Sequence, residues 1–240
     1  MDLVDALSAR GLVCAVGAGG KTTTCYTLAN RLDRGVVTAT VRIPIFDDRV
    51  ARVEVTDDPT GAVDANTDWP LGLVPERHDD VRYAGYDTAT VDRLAARTDC
   101  DAVLVKADGA RNRLFKAPGE HEPQIPESTD TVLPIVSARA VGKPLTAEFV
   151  HRPERVAEVG EVDVGEEIRP EHVARVLASE EGGRKRVPEG ATVVPVLNMC
   201  DDEELTEVAR AVADRVHELA DVPRVVLTRM DLGQVVAVVE

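Results

Sequence analysis

Short apolar runs alternate with stretches of helical period along most of this chain. Residues 11–16, GLVCAV, are an unbroken apolar run and predict a strand buried on both faces. In residues 20–33, Tyr26, Leu28, Ala29 and Leu32 can share one side of a helix. The β-branched stretch 36–43, VVTATVRI, predicts a second strand after the break at Gly35. Between 47 and 90 the pattern loosens into short alternating pieces joined by acidic turns, which predicts a small β-rich insertion, an antiparallel extension or flap. A helix is predicted over 88–98, a third strand within 101–110 and a fourth over 131–136. A helix over 170–179 opens on Pro170, a favoured first position. A fifth strand over 191–199, an amphipathic helix over 202–220 and a sixth strand over 224–230 complete the pattern. Strands alternating with helices predict one α/β domain spanning 1–240, a mostly parallel sheet flanked by helices.

Composition sharpens this picture. Hydrophobic residues make up 44% of the chain but aromatics only 3%, so valine, leucine and alanine must build the core. The net charge of −15 argues against a nucleic-acid or anionic-membrane surface, since both need a basic patch. Acidic residues are spread along the chain and lysine is scarce, the balance expected of a halophilic protein, because ~3 Å screening at about 1 M salt weakens self-repulsion. The four cysteines, Cys14, Cys25, Cys100 and Cys200, form no CxxC pair, which argues against a zinc or disulfide framework. The start MDLVDALSAR lacks an apolar core, and no run approaches a membrane span, so a cytoplasmic location is expected.

The candidate chemistry begins where the first strand breaks. Gly17, Ala18, Gly19, Gly20, Lys21, Thr22 and Thr23 form a glycine turn between strand and helix. Such a turn aims backbone N–H groups at an anion beside the positive end of the helix dipole. Lys21 would reach the β- and γ-phosphates of a nucleotide, and the Thr22 hydroxyl would bind Mg²⁺. The GxxxxGK[ST] spacing needs glycine at 15, where this chain has Ala15. What remains, G-x-x-G-K-T-T, resembles the phosphate loop of Mur-type amide ligases and folylpolyglutamate synthases. The expected fold is therefore P-loop NTPase-like. Only five lysines occur in the chain, so one at the phosphate position carries weight.

Asp108 ends the apolar run AVLV-KAD and is the candidate Walker B acid and metal ligand, with Thr22. Asn198 and Asp201 end the fifth predicted strand as Asn-x-x-Asp, an arrangement resembling the element with which GTPases read guanine. The usual intervening lysine is Met199, and an acid at 201 or 202 would equally cap the next helix, so ATP and GTP both remain open.

The segment ADGARNRLFKAPGEHEPQIP, followed by GKPLTAEFVHRPE at 142–154, resembles the YqeC family, as do VGAGGKTT near the start and EGG before a proline. The resemblance implies an accessory protein for maturation of selenium-dependent molybdenum hydroxylases, with the hydroxylase apo-enzyme as a partner. Where the family usually has glutamate before ADG, this chain has Lys106, and where its second strand ends in threonines and a lysine, this chain has Thr38, Thr40 and Arg42. Among the shared polar residues, Lys116 is placed to neutralise phosphate or a second anion. His121 and Glu122 carry acid–base or ligating groups. His151 and Arg152 offer a proton carrier and a bidentate anion fork. Two expectations follow. One is nucleotide-driven activation or transfer on an anionic substrate or cofactor held by Lys116, His121, Glu122, His151 and Arg152. The other is a non-catalytic, nucleotide-gated carrier or chaperone for a molybdopterin-type cofactor or apo-enzyme. The first is an enzyme and the second is not; the residues leave that choice open.

Overall fold

The computed structural model describes residues 1–97 and 99–240. After the four-residue helix α1 (Leu3–Ala6), strand β1 (Gly11–Gly17) leads through the glycine turn into α2 (Lys21–Ala29) and β2 (Gly35–Ala39). Then come β3 (Ile43–Pro44), β4 (Arg52–Val55), α3 (Pro59–Ala65), β5 (Leu71–Val74), β6 (Arg82–Tyr83), α4 (Thr88–Arg97) and β7 (Ala102–Lys106). The second half holds β8 (Phe115–Lys116), β9 (Thr131–Ser137), β10 (Val150–His151), α5 (Pro153–Gly160) and α6 (Pro170–Ala178). It closes with β11 (Thr192–Val193), β12 (Val196–Asn198), α7 (Glu203–Leu219), β13 (Val225–Arg229) and β14 (Gln234–Val239).

The main sheet runs β14-β13-β12-β9-β1-β7-β2-β5-β4, with β11 also on β9. Every pairing is parallel except β13–β14. This is an α/β fold, as the alternation of strands and helices predicts. β1 lies at the centre because residues 12–16 are buried on both faces. Leu12, Cys14 and Val16 pack with α3 and α4, while Val13 and Ala15 pack with α1 and α2. On the former face, beyond β9, α5, α6 and α7 cover Val136, Leu197 and Leu227. No helix among the described residues is long and apolar enough to cross a membrane.

The segment 47–90 differs from expectation. It extends the main sheet with two further parallel strands, β4 and β5, joined by α3; its antiparallel pairing among the described residues is the short β3–β6 pair and a single Arg77–Tyr83 bridge. All four residues of β5 are buried, so the piece LGLV is an interior strand that its short length and flanking prolines disguise. α3 starts where Asp58 accepts the Gly61 amide at 3.0 Å and Pro59 takes the first turn. Helix α4 fits the expectation over 88–98 as far as Arg97; residue 98 lies outside the described residues. Parallel pairing puts the C-terminal ends of β1, β7, β9 and β12 at one edge. The chain leaves β1 toward β2 on one side and crosses to β9 on the other. In open α/β sheets, ligands enter at such an edge.

Candidate functional site

At that edge β1 ends in the glycine turn, and the turn's shape depends on missing side chains. Gly17 has φ 89°, and an added Cβ would lie 2.3 Å from the Ile135 carbonyl oxygen. Gly20 has φ 130°, and a Cβ there would lie 2.3 Å from Asn198 Nδ2. Three turn amides are already committed. Gly17 N–H donates to Asp108 Oδ2 at 2.9 Å, Ala18 N–H to Ile135 O at 2.8 Å, and Gly19 N–H to Arg113 O at 3.1 Å. This narrows what the turn can offer an anion. The first intrahelical bond of α2 runs from Thr24 N–H to Gly20 O, so the amides of Lys21, Thr22 and Thr23 precede the helix ladder. Gly20, the N-cap, provides no side-chain cap. The anion-receptive part is thus the uncapped first turn of α2.

Lys21 is buried, and its ammonium points into the site. Nζ lies 3.0 Å from Asp108 Oδ1 and also donates to the Gly17 carbonyl. From Asp108 a chain of ion pairs runs outward. Lys116 Nζ is 2.9 Å from Asp108 Oδ2, 2.7 Å from Glu122 Oε2 and 2.6 Å from Gly109 O. Arg152 Nη1 then meets Glu122 Oε2 at 2.6 Å. The exposure of these side chains rises along the chain, from 0% at Lys116 through 20% at Glu122 to 38% at Arg152. The two-stranded β8–β10 ladder sets the spacing, since it pairs Lys116 with His151 in register.

Electrostatics follow from this packing. Burial, followed by the Lys116 ammonium, pushes Lys21 below its ordinary value, against the pull of Asp108. Burial would raise the Glu122 carboxyl, but the hydrogen bond from Arg152 and the charge of Lys116 outweigh it and hold it at about 2. Burial, then Arg152 and Lys116, bring His151 down to about 4, so its ring is neutral at pH 7. Lys106, at the end of β7, does not pair with Asp108; its ammonium donates to the Arg42 carbonyl. Burial and then Lys21 lower it to about 8.

The end of β12 braces the turn. Asn198 Nδ2 donates to Gly19 O at 2.8 Å, while its Oδ1 accepts Thr228 Oγ1 at 3.2 Å and Met230 N–H at 3.0 Å. Both ends of this amide are spent on fixing the turn and the end of β13. Asp201 pairs with Arg139 at 2.5 Å and faces Arg229 at 3.6 Å. The helix cap is Asp202, whose Oδ1 accepts Leu205 N–H at 2.8 Å.

The structure therefore gathers Lys21, Asp108, Lys116, Glu122 and Arg152 into one network, with His151 beside it. It does not draw in His121, whose side chain is exposed and whose carbonyl alone is tied in, to Gln124. Thr22 is half-buried and Thr23 exposed on the first turn of α2. Thr38 turns inward to Leu73 O at 2.8 Å, and Thr40 to Gln124 O at 2.6 Å. The bracing partners Thr228 and Ser137, the latter donating to Met199 Sδ at 3.1 Å, were not candidates from the sequence; their place at strand ends facing the turn was the available signal. Among the described residues no group of three acidic, histidine or cysteine side chains is arranged for a metal. A phosphate-bound Mg²⁺ needs only one or two protein ligands. Asp108 Oδ1 is buried and receives no hydrogen bond despite its closeness to Lys21, so it fits a cation or a cation's water.

The space is tight. A cavity of about 20 Å³, room for about one water, touches Gly17, Asp108 and Lys116 and is walled by Pro118, Pro123 and Leu177. A roomier hollow of about 460 Å³ lies elsewhere, around Arg184 and Thr192.

Fold and site together define an α/β protein with a buried cation cluster at the glycine–lysine turn of its central strand. The profile described as "YqeC protein" matches residues 13–154, more than half of the chain, and this chain belongs to the YqeC family. It is similar to "Uncharacterized protein YqeC" of Escherichia coli (strain K12), with 28% identity over 192 residues, covering 78% of this chain and 75% of that protein. No solved structure matches.

Proposed function

We propose that this protein binds a purine nucleoside triphosphate with Mg²⁺ at Gly20–Thr23 and Asp108, and uses it to activate or transfer a group on an anionic substrate or cofactor. The observation that carries this reading is charge. In a chain of net charge −15, four cations, Lys21, Lys106, Lys116 and Arg152, gather around two carboxylates, Asp108 and Glu122, at an uncapped helix start. Buried positive excess is unfavourable unless an anion arrives to balance it. A polyphosphate on the first turn of α2 would supply that balance.

In this reading Lys21 leaves Asp108 for the phosphates. Asp108 Oδ1 and the Thr22 hydroxyl are the groups to hold the metal or its water. Mg²⁺ would supply charge neutralisation for the phosphoryl group. Lys116 would stay between Asp108 and the outer anion, beside the neutral ring of His151. Family membership makes maturation of selenium-dependent molybdenum hydroxylases the physiological setting we propose.

The test is Lys21→Ala. Nucleotide-dependent thermal stabilisation, about 2.7 kcal/mol at a hundredfold excess over Kd, should vanish while the apo fold survives. Equal stabilisation of wild type and variant would refute the site. A second reading, a nucleotide-gated carrier or chaperone without turnover, is favoured by Lys106, an ammonium where hydrolysis would use an acid. Phosphate release measured with and without purified molybdenum cofactor separates the two: tight nucleotide binding with no release in either condition selects the carrier.

A further inference from the structure

Three donors converge on a single oxygen, Glu122 Oε2. Arg152 Nη1 lies at 2.6 Å, Lys116 Nζ at 2.7 Å, and the Gly119 amide at a long 3.4 Å. Such convergence on one carboxylate oxygen is how a protein builds an oxyanion cradle. One of its walls is fixed. Lys116 is wholly buried and anchored on Gly109 O, and it is held across from His151 by the β8–β10 ladder. The occupant is less fixed, because Glu122 lies in the irregular loop between β8 and β9 with its side chain 20% exposed.

Arg152 is positioned at a cost. It has φ 62° and ψ 67°, the left-handed region, where a side chain other than glycine or asparagine is uncommon. As the N-cap of α5 it makes no side-chain capping bond. Its guanidinium instead lies over Gly119, where an added Cβ would fall 3.1 Å from Cζ. Backbone strain that aims a solvent-reachable guanidinium at a carboxylate suits recognition better than it suits helix capping.

We propose that Lys116, Arg152 and the Gly119 amide form a binding subsite for the carboxylate of an acceptor substrate, and that Glu122 is its tethered occupant, leaving when the acceptor enters. A carboxylate is the class because one already fits. Lys116 also touches Asp108, so an acceptor here would sit one ammonium away from the glycine turn. The subsite takes its purpose from the nucleotide reading, but its existence does not depend on it.

Glu122→Ala removes a CH₂–COO⁻ fragment, and acetate replaces those atoms. Melting temperatures of this variant are measured in sodium acetate, sodium phosphate and sodium chloride at matched ionic strength and pH 7. Acetate at ten times its Kd should raise the melting temperature by about 3–6 °C beyond chloride, with a logarithmic dependence on concentration above Kd. Adding Arg152→Ala should abolish the rise. In wild type the Gly119 amide signal, followed by NMR, should also shift saturably, but at tenfold or more higher acetate, because the tethered carboxylate competes at high effective concentration. The proposal is overturned by no rise with acetate, by an equal rise in chloride, by stabilisation with phosphate and none with acetate, or by a rise that survives Arg152→Ala. A Gly119 signal fixed at all acetate concentrations would make Glu122 an immobile ion pair and overturn it too. If the variant fails to fold in chloride, recovery on refolding in acetate supports the subsite and no recovery refutes it. The Lys21→Ala/Glu122→Ala protein keeps the two readings apart: acetate should still stabilise it whether or not nucleotide binding proves real.

Discussion

Lys106→Met should make this protein more stable at neutral pH. The Lys106 side chain is 7% exposed at the end of β7, and its pKa falls from 10.5 to about 8, through burial first and then the nearby Lys21. Below pH 8 both folded and unfolded chains carry this charge, and the folded one bears the full penalty. Between pH 8 and 10.5 the unfolded chain holds a proton that the folded chain lacks, so stability climbs with pH; above 10.5 the penalty is gone. The gap between the two values corresponds to on the order of 3 kcal/mol at pH 7. Methionine keeps the length of the side chain without the charge, but it forfeits the bond to the Arg42 carbonyl, worth about 1–2 kcal/mol. The net gain at pH 7 is therefore about 1–2 kcal/mol, or roughly 2–8 °C in Tm. Urea unfolding followed by circular dichroism at pH 7 and pH 10.5 measures it, and the sign should reverse, with wild type the more stable at the higher pH. A variant no more stable than wild type at pH 7, or a difference that does not change with pH, would refute the argument. The same substitution should weaken polyphosphate binding, since it removes a cation from the cluster.

Two further outcomes are expected. His151, at about 4, refuses a proton that the unfolded chain takes up below its ordinary 6.5, so stability should fall as pH drops from 6.5 to 4. His151→Gln should flatten that slope in denaturant midpoints taken across the window, and identical slopes would contradict the assignment. For Asp201→Asn, the pairing of Asp201 with Arg139 and the full engagement of the Asn198 amide lead to equal, less than about threefold changes in ATP and GTP affinity, because exposed ion pairs contribute about 0–1 kcal/mol. A selective tenfold loss of GTP binding by calorimetry would restore guanine reading to this segment.

The strands and helices legible in the sequence were those with a strong period or an unbroken apolar run: β1, β9, α6 and α7 each lie within about a residue of expectation, and β7 starts within a residue of it but ends four residues earlier, at Lys106. β5 was misread because four residues cannot show a period, and because its partners β2 and β4 come from distant positions. α5 was missed because its cap is a left-handed arginine, which does not announce a helix, although Pro153 stands at a favoured first position. At the site, the residue types were readable one by one, but the bond pattern was not. Nothing local says that Lys116 bridges Asp108 and Glu122, because the bridge depends on β8 pairing with β10 across more than thirty residues. The commitment of the Gly17, Ala18 and Gly19 amides was equally hidden, since their acceptors sit on β9 and on the loops after β7.

The closed network pairs each of its buried cations with a carboxylate. Asp108 neutralises Lys21 and Lys116 from inside, and Glu122 neutralises Lys116 and Arg152 from outside. Glu122 occupies the place that the proposed acceptor carboxylate would take. A buried ammonium stripped of its partner costs about 3–5 kcal/mol, so Lys21 would not leave Asp108 before a ligand anion is at hand. Lys116 is the shared member. An anion that draws it from Asp108 would also loosen its hold on Glu122, and one that takes it from Glu122 would equally weaken its hold on Asp108. The two places are thereby coupled through one side chain, and by linkage the coupling must be equal in both directions.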